Sequence, residues 1–497
     1  MLFFKNFFPF FLILFLVKII FCSENQKYIN KITIIRKPVF LEEKKFLKTL
    51  NNIHYLTLPY TIRKDLLFKE GDELNQEIIE NTLRKLRSRR YIREAEIEIE
   101  EVSDTLVNLK VITQDNWSTI VGAALKKTDK GDNIIRLSVK EYNLFGTGKT
   151  IRFKKDILFR DKKDYEIEYL DKHFIKQNLE VNFLYKNSEI KRDQKYVIGK
   201  DFISDFDFYS LFFCFNSTEN YLYNDNTYDN CIKLNLSNKK IIGRIQPIIE
   251  FHLLRNEYNN ENNKFNYLFS GVKLSSIKYI KERNLFEYEK IEDIALGPQF
   301  TIGYKKIDEV FGANKNGWGY FVQFLYNQKK NKNYIFQKYE IDNMYVNKYN
   351  DFEQEIKIIH ILKITEKYRW FNQLEFKKKS NYKSYDAFIL NANNGLRGYD
   401  ESIEGSKYIL FNSEYRIMFQ HDWLSFFYPE IRFLYVRPTS YKKNEDIILK
   451  NFYHNVGFNF KLVMYKLAHS EDINVTIAYP LKYKNKPYFS IGTSLEF

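Results

Sequence analysis

Few residues of this chain fall into patterns that support catalysis. The adjacent pair His421-Asp422 is best explained as a polar turn before Trp423, and no Gly-x-Ser-x-Gly motif occurs. Gly146 and Gly148 suggest a dinucleotide loop, but strand-like sequence follows them where a helix is needed. The seven histidines show no metal-ligand spacing and lie at positions 54, 173, 252, 360, 421, 454 and 469. The sequence therefore predicts no enzyme, no metal site and no cofactor.

The three cysteines are Cys22, Cys214 and Cys231. Cys22 ends an N-terminal segment that carries Lys5, an apolar run over residues 7–17 and a polar exit, which is typical of a secretory signal peptide. We assign residues 1–23 to this signal and leave the cleavage point open. In an exported chain the two remaining cysteines could clip a hairpin or loop together, and the sequence alone leaves their pairing undecided.

The composition favours a membrane β-barrel over other classes. The 497 residues include 45 Phe and 38 Tyr, yet 28% of residues are charged and the mean hydropathy is −0.46. A barrel needs both an apolar outer band with aromatic girdles and a polar lumen with polar loops. No internal run is long and apolar enough for a spanning helix. The net charge of +15 comes mostly from Lys scattered through Asn-rich and Tyr-rich sequence, which indicates solvated loops and argues against nucleic-acid binding.

Residues 487–497 carry the clearest strand pattern. Apolar and polar side chains alternate there, so one face of the strand is apolar and the other polar. Such a strand suits the end of an outer-membrane barrel; the alternative, an edge strand of a soluble sheet, would expose the apolar row to water. Residues 165–169 and 179–185 alternate in the same way. The apolar face consists of Phe489, Ile491, Thr493, Leu495 and Phe497.

Residues 28–113 show a different, mixed pattern. A strand around Ile32 and Ile34 is followed by predicted helices over 61–68 and 74–88, and then by two segments of period two. Gly71 is a candidate end for the first helix, and Asp72 or Asn75 a candidate cap for the second. The predicted order is strand, helix, helix, strand, strand, which is enough for one small core.

Here the chain resembles a known family. Residues 66–72, 83–86 and 91–95 resemble a POTRA domain, the polypeptide-binding module of the BamA/TamA outer-membrane assembly superfamily. Residues 111–117 and 141–149 look like the join from the last POTRA domain into the barrel. The resemblance implies a POTRA-like periplasmic domain over 28–113 and an outer-membrane β-barrel of about sixteen antiparallel strands over 117–497.

The motif at residues 393–400 resembles the Arg-Gly-aromatic tip of the sixth extracellular loop in this superfamily, which folds back into the barrel. The resemblance assigns Arg397, Gly398 and Tyr399 to this loop lock and Glu414 to its wall partner. A guanidinium in a lumen needs such a carboxylate, because the planar fork fits it bidentately. The alternative is a Gly-containing turn with Arg397 in water. Many relatives supply a second acid from the next strand, where this chain has Tyr435.

Gly492 resembles the glycine at which the last strand of these barrels bends inward at the lateral seam, and Phe497 ends that strand. The implied function is assistance in inserting or assembling outer-membrane proteins. A polypeptide secretion pore of the two-partner type and a passive pore or surface antigen are the alternatives. The expected partners are extended polypeptide clients, outer-membrane lipid, and accessory periplasmic proteins or lipoproteins, with no nucleic acid. The client and the oligomeric state stay open.

Overall fold

The structure is a computed structural model. It describes residues 26–42, 44–127, 133–158, 164–175, 179–188, 191–202, 207–221, 225–240, 243–258, 261–347, 349–380, 388–390, 396, 399, 403–441, 452–468, 472–482 and 487–493. The predicted signal peptide, residues 1–23, lies outside the described residues.

The N-terminal domain is a three-stranded sheet packed against helices. In the sheet, β1 runs parallel to the central strand β3, and β2 runs antiparallel to it. Alternate residues of β3, among them Leu109 and Val111, are fully buried against Leu83 and Leu86. This burial explains why the period-two sequence forms strands here. The elements are β1 (Tyr28–Lys37), α1 (Lys45–Ile53), α2 (Pro59–Asp65), α3 (Gln76–Arg87), β2 (Ile92–Glu101) and β3 (Leu106–Asp115).

The helices follow the sequence signals in part. Asn75 caps α3, since its side-chain oxygen accepts hydrogen bonds from the backbone N–H groups of Glu77 at 2.8 Å and Ile78 at 3.2 Å. Helix α2 ends at Asp65, so Gly71 does not cap it and instead forms a turn with φ of 92°. Helix α1 is not predicted; of its residues only Leu47 is buried.

The remaining strands form a closed barrel in which neighbours in sequence are antiparallel neighbours in space, and β28 lies beside β4. β22 and β23 form a separate hairpin. The strands are β4 (Thr119–Lys127), β5 (Asn133–Glu141), β6 (Thr150–Leu158), β7 (Asp164–Asp171), β8 (Leu179–Asn187), β9 (Lys191–Lys200), β10 (Tyr209–Asn220), β11 (Asp225–Leu236), β12 (Asn238–Lys240), β13 (Gly243–Tyr258), β14 (Glu261–Lys264), β15 (Tyr267–Ser275), β16 (Lys278–Arg283), β17 (Ile291–Ile307), β18 (Gly317–Lys330), β19 (Asn333–Val346), β20 (Tyr349–Lys363), β21 (Tyr368–Lys379), β22 (Phe388–Leu390), β23 (Ile403–Gly405), β24 (Lys407–Met418), β25 (Phe427–Tyr441), β26 (Asn455–Met464), β27 (Asp472–Pro480) and β28 (Tyr488–Thr493).

The predicted barrel is confirmed, but it has more strands than the sixteen expected. β12 continues β11, while β14 and β16 continue β15, which leaves twenty wall strands among the described residues. Some connections are short: Asn331 and Lys332 alone join β18 to β19. More of the chain therefore forms strands than a barrel of sixteen would use.

The two faces of the wall differ as the alternation predicts. Phe153 and Ile167 are cross-strand partners with exposed outward side chains, whereas their neighbours Arg152 and Glu168 pair on the inner face. In β28, Phe489 is 63% exposed and points outward. An apolar exterior around a polar interior is the pattern of a barrel surrounded by lipid. No helix within the described ranges is long and apolar enough to cross a membrane.

Candidate functional site

The N-terminal domain is fixed to one end of the barrel, here called the near end; the opposite end is the far end. The backbone N–H of Trp117 donates to the carbonyl oxygen of Lys466 at 2.7 Å, and the N–H of Ala468 donates to that of Trp117 at 2.8 Å. This backbone bridge joins the start of β4 to the turn between β26 and β27. The segment that leaves the domain continues into β4 and is bonded to the turn before β27. It is therefore connected to both neighbours of β28 in the barrel.

The turn between β5 and β6 approaches the domain too closely for side chains. Gly146 has φ of 77°, and a Cβ there would lie 2.5 Å from the carbonyl oxygen of Leu56. Gly148 has φ of 70°, and a Cβ there would lie 2.7 Å from the hydroxyl of Tyr91. Both positions favour glycine for conformation as well as space. These glycines serve domain packing.

A buried charge cluster forms the centre of the junction. Asp65 accepts a hydrogen bond from Nε of Arg89 at 2.9 Å, and Nε2 of His173, in the turn after β7, lies 2.9 Å from its other oxygen. Lys85 Nζ lies 3.4 Å from Asp65. Burial would raise the pKa of Asp65, but the charge of Arg89 and the hydrogen bonds from His173 and Arg89 hold this pKa well below its usual value. Domain and barrel therefore share one ionised carboxylate.

The sequence did not reveal this cluster. Asp65 and His173 are separated by 108 positions, and each follows a local pattern that suits a solvated polar residue. The signal that could have exposed them is the run of basic residues over 84–90, which is dense for the end of a single amphipathic helix. Basic side chains this close together need acidic partners when the helix is packed against other elements.

A second set of ion pairs joins the domain to another part of the near rim. Arg87 donates to both carboxylate oxygens of Asp293, at 2.8 and 2.7 Å, in a bidentate pair. Nearby, Lys281 pairs with Glu80 at 2.8 Å. The domain thus contacts the rim through the turns after β5 and β7 and through strands β16 and β17.

The connection between β16 and β17, residues 284–290, folds into the barrel and is here called the inward turn. Glu292 accepts hydrogen bonds from the backbone N–H groups of Leu285 at 2.6 Å and Phe286 at 3.0 Å, which fixes its shape. Leu285 is fully buried among inward side chains of β19 to β21. The hydroxyl of Tyr288 donates to the carbonyl oxygen of Pro429 at 3.2 Å, across the barrel. The inward turn and the domain together cover the near mouth.

The predicted loop lock lies at the far end, in the connection between β21 and β24. This is the eighth far-end connection of the wall, because the barrel has more strands than the sixteen implied. Tyr399 is buried with Leu390 and Leu396, and its hydroxyl lies 2.6 Å from the carbonyl oxygen of His454. Nδ1 of His454 in turn lies 2.9 Å from the hydroxyl of Tyr435. Arg397 and Gly398 lie outside the described residues, so their predicted contacts stay predictions.

Glu414 lies in β24 and is buried, as expected for a wall acid. One of its oxygens accepts hydrogen bonds from Nε of Arg416 at 2.7 Å, and Nη1 of Arg432 lies 3.4 Å from it. Its second oxygen accepts from the Asn412 amide at 2.9 Å. The pairing of Glu414 with Arg397 is not tested by these contacts. Arg416 and Arg432 were not predicted as partners.

The seam is the place where the last strand meets the first. β28 comprises six described residues, Tyr488–Thr493, and pairs with β27 from Ala478↔Tyr488 to Ile473↔Thr493. Gly492 lies near the end of this strand, opposite Asn474. Phe497 lies outside the described residues. The barrel therefore closes where β28 lies beside β4.

The open question of the cysteines is settled by a disulfide. Cys214 and Cys231 are direct cross-strand partners on β10 and β11 and are bonded, with Cα atoms 4.9 Å apart. Asp229 and His252 lie next to Cys231, and the potential ligand atoms of the three are within 4.8 Å of one another. Spacing rules missed this group because its members come from different strands. With the sulfur of Cys231 in the disulfide, His252 is held by hydrogen bonds to Asp229 at 2.8 Å and Glu250 at 3.1 Å.

In comparisons with known proteins, the sequence matches no family model and no curated protein. Among solved structures, CdiB from Escherichia coli has a TM-score of 0.50 at 10% identity and covers 94% of this chain and 76% of its own. CdiB from Acinetobacter baumannii has a TM-score of 0.46 at 12% identity, over 94% and 73% of the two chains. BamA from Haemophilus ducreyi lacking POTRA domains 1–3 has a TM-score of 0.34 at 8% identity, over 94% and 83%. The first likeness shows that this chain shares its fold with CdiB from Escherichia coli.

Proposed function

We propose that this chain assists the insertion or assembly of other proteins in the outer membrane, with its N-terminal POTRA-like domain on the periplasmic side. The observation that carries the proposal is the place of the N-terminal domain beside the seam. Trp117, between the domain and β4, makes two backbone hydrogen bonds to the turn that precedes β27, the partner of β28. A client captured by the domain would be held close to the seam, where its strand would exchange backbone hydrogen bonds with β28 and β4.

The edges of the N-terminal sheet support a route for client capture. The outer edge of β1 is occupied, because the N–H of Ile29 donates to the carbonyl oxygen of Asp72 at 2.9 Å and the N–H of Gly71 donates to that of Ile29 at 2.8 Å. The outer edge of β2 has no paired strand among the described residues. An extended client would add to β2 through main-chain hydrogen bonds. No chemical reaction or nucleotide enters this scheme, since strand pairing and burial in lipid drive it.

Site-specific photo-crosslinking in cells tests the proposal. A crosslinker at Ser490 in β28 is expected to capture outer-membrane proteins during their assembly. The matched control is the same crosslinker at Thr476, which is in register with Ser490 but lies on β27, one strand away from the seam. Recovery of lipid or of this chain alone from Ser490, or equal capture from Thr476, would refute insertion at the seam.

A polypeptide secretion pore of the two-partner type is the second candidate, since it needs the same domain and barrel. Its client would pass through the lumen, so the inward turn and the domain would first have to clear the near mouth. Depletion of the chain separates the two functions: loss of many barrel proteins supports assembly, and loss of one secreted protein supports secretion. A passive pore fits less well, because Leu285 and Tyr288 pack across the mouth it would need open.

A further inference from the structure

Five large apolar side chains at the near end are 61–79% exposed, although they come from three separate parts of the chain. Large apolar surfaces left together in this way mark contacts with a partner or a membrane. We call this set the apolar patch. It consists of Phe46 and Ile53 in α1, Tyr55 just after α1, Phe145 in the turn between β5 and β6, and Leu424 in the turn between β24 and β25.

Helix α1 connects the two turns that carry the rest of the patch. At its start, Lys44 Nζ donates to the hydroxyl of Ser425, next to Leu424, at 3.1 Å. Just after its end, the ring of Tyr55 packs edge-on against that of Phe145 at 5.6 Å. In the barrel these two turns lie on either side of β28 and β4. Helix α1 and the apolar patch therefore lie along the near end of the seam.

The helix carries more apolar surface than the protein buries. Leu47 is buried in the cluster that joins α1 to the rim. Phe46 and Ile53 are seven residues apart, which is close to two helical turns, so they share a face. That face is exposed, and Lys45 and Lys48 are exposed as well. Exposed apolar side chains together with exposed lysines are typical of a helix that lies in a membrane interface.

Two residues of the apolar patch hold a backbone conformation that bulky side chains rarely adopt. Phe145 has φ of 53° and Leu424 has φ of 58°, both in the left-handed region. This conformation costs free energy, and neither side chain recovers that cost by burial in the protein. Transfer of the two side chains from water into lipid would recover it.

Near Phe145, the apolar patch continues the lipid-facing surface of the barrel. Val121 of β4 and Val139 of β5 are exposed cross-strand partners, and Val139 is in turn paired with Phe153. These three belong to the outward row that also contains Ile167. The row lies close to the near ends of β4 and β5. A membrane that surrounds it reaches the place where the apolar patch begins.

Near Leu424, the apolar patch continues the same surface. Trp423 precedes Leu424, and its ring lies 6.4 Å from that of Phe460 on β26. Phe460 is on the outward face of β26, since Val456 and Phe458, which share that face, are exposed. A tryptophan at this position is typical of the aromatic belt at a membrane surface. The apolar patch is thus continuous at both ends with the surface that faces lipid.

We propose that the apolar patch enters the bilayer leaflet at the near end, next to the seam. Phe46 and Ile53 lie among the headgroups and upper acyl chains, and Lys45 and Lys48 contact anionic headgroups. The partner is a phospholipid surface, so the inference goes beyond the proposed function, which concerns a polypeptide client. Contact with lipid at this place fixes the N-terminal domain relative to the membrane.

Fluorescence quenching tests the proposal with the purified full chain in bilayers of phosphatidylcholine and phosphatidylglycerol. An environment-sensitive fluorophore is attached at Phe46→Cys in a Cys22→Ser background, in which the other two cysteines are bonded to each other. The control site is Val102→Cys, an exposed apolar residue just after β2, whose opposite end contacts the rim through Arg93. Lipids brominated on their acyl chains are expected to quench the label at position 46 about twofold more strongly than the label at position 102.

A second experiment tests the helix without a label on it. A fluorophore at Tyr55→Cys should lose about half of its quenching by brominated lipid in the Phe46→Ser/Ile53→Ser variant. The matched variant, Val102→Ser/Leu106→Ser, removes two exposed apolar side chains of the same domain and should leave the quenching unchanged.

Equal quenching at positions 46 and 102, or equal loss in the two serine variants, would overturn the proposal. So would a label at position 46 that is shielded from aqueous iodide but not quenched by brominated lipid, because the apolar patch would then face another protein or a second copy of this chain. No client is present in these measurements, so the proposal can fail while crosslinking at Ser490 succeeds, or the reverse.

Discussion

The junction between domain and barrel and the seam between β28 and β4 are built in opposite ways. The junction places a buried carboxylate, Asp65, among three basic side chains from both regions, and adds a bidentate pair between Arg87 and Asp293. The seam joins β28 and β4 through backbone hydrogen bonds. A buried charge tolerates little displacement, whereas a strand can exchange one backbone partner for another. We therefore expect the junction to stay fixed if the seam exchanges strands.

Of the substitutions considered, Asp65→Asn is expected to have the largest effect on the stability of the junction. Asp65→Asn removes the partner of Arg89 and leaves that cation buried, so we expect the junction to lose about 3–5 kcal/mol. Limited proteolysis and thermal unfolding of the full chain measure this loss as earlier cleavage between domain and barrel. Glu98→Gln, at an exposed position of β2, is the control and should change stability by no more than about 0.5 kcal/mol. Unchanged protease resistance in Asp65→Asn would show that the junction does not depend on this cluster.

Lowering the pH tests the contribution of Asp65 to stability without a substitution. The folded state holds the pKa of Asp65 below its usual value of 3.8. As pH falls below that value, the unfolded chain takes up a proton that the folded cluster does not, so wild-type stability falls. Asp65→Asn lacks this contribution and should show a shallower acid dependence of the same cleavage.

Substitutions in the predicted loop lock at the far end are expected to have effects of intermediate size on stability. If Arg397 reaches Glu414, the single variants Arg397→Ala and Glu414→Ala should each loosen the barrel, with a coupling of about 0.5–3 kcal/mol in the double variant. Heat-modifiable gel migration and melting temperature measure the effect. Arg397→Ala combined with Glu375→Ala, which removes a buried wall acid on β21, is the additive control. Full additivity for Arg397 and Glu414 would mean that the two side chains do not touch.

The smallest expected effect is at Tyr399. Tyr399→Phe keeps the ring between Leu390 and Leu396 but removes the hydroxyl next to His454, for a loss of about 0.5–1.5 kcal/mol. The melting temperature of the barrel should fall by a small, measurable amount. Tyr415→Phe, an exposed outward tyrosine, should leave it unchanged. A loss as large as that of Asp65→Asn would place the strongest lock at the far end and reverse the comparison.

Local periodicity allowed much of this fold to be predicted. Alternation of period two identified the wall and its outward face, as Phe489 and Ile491 illustrate, and the capping residue Asn75 marked the start of α3. The strand count could not be predicted, because it depends on loop lengths that carry no periodic signal. The inward turn was missed for another reason: Tyr288 and Pro429 are 141 positions apart, and only folding brings them together.

The backbone bridge at Trp117 bears on how the wall could part. It connects the start of β4 to the turn after β26, and so bypasses β28 at the near end. A wall pinned at this point would part from the far end, and the gap would be widest there. Under the proposed function, the tip of an incoming hairpin would lie toward the far end, while its ends would stay beside the N-terminal domain.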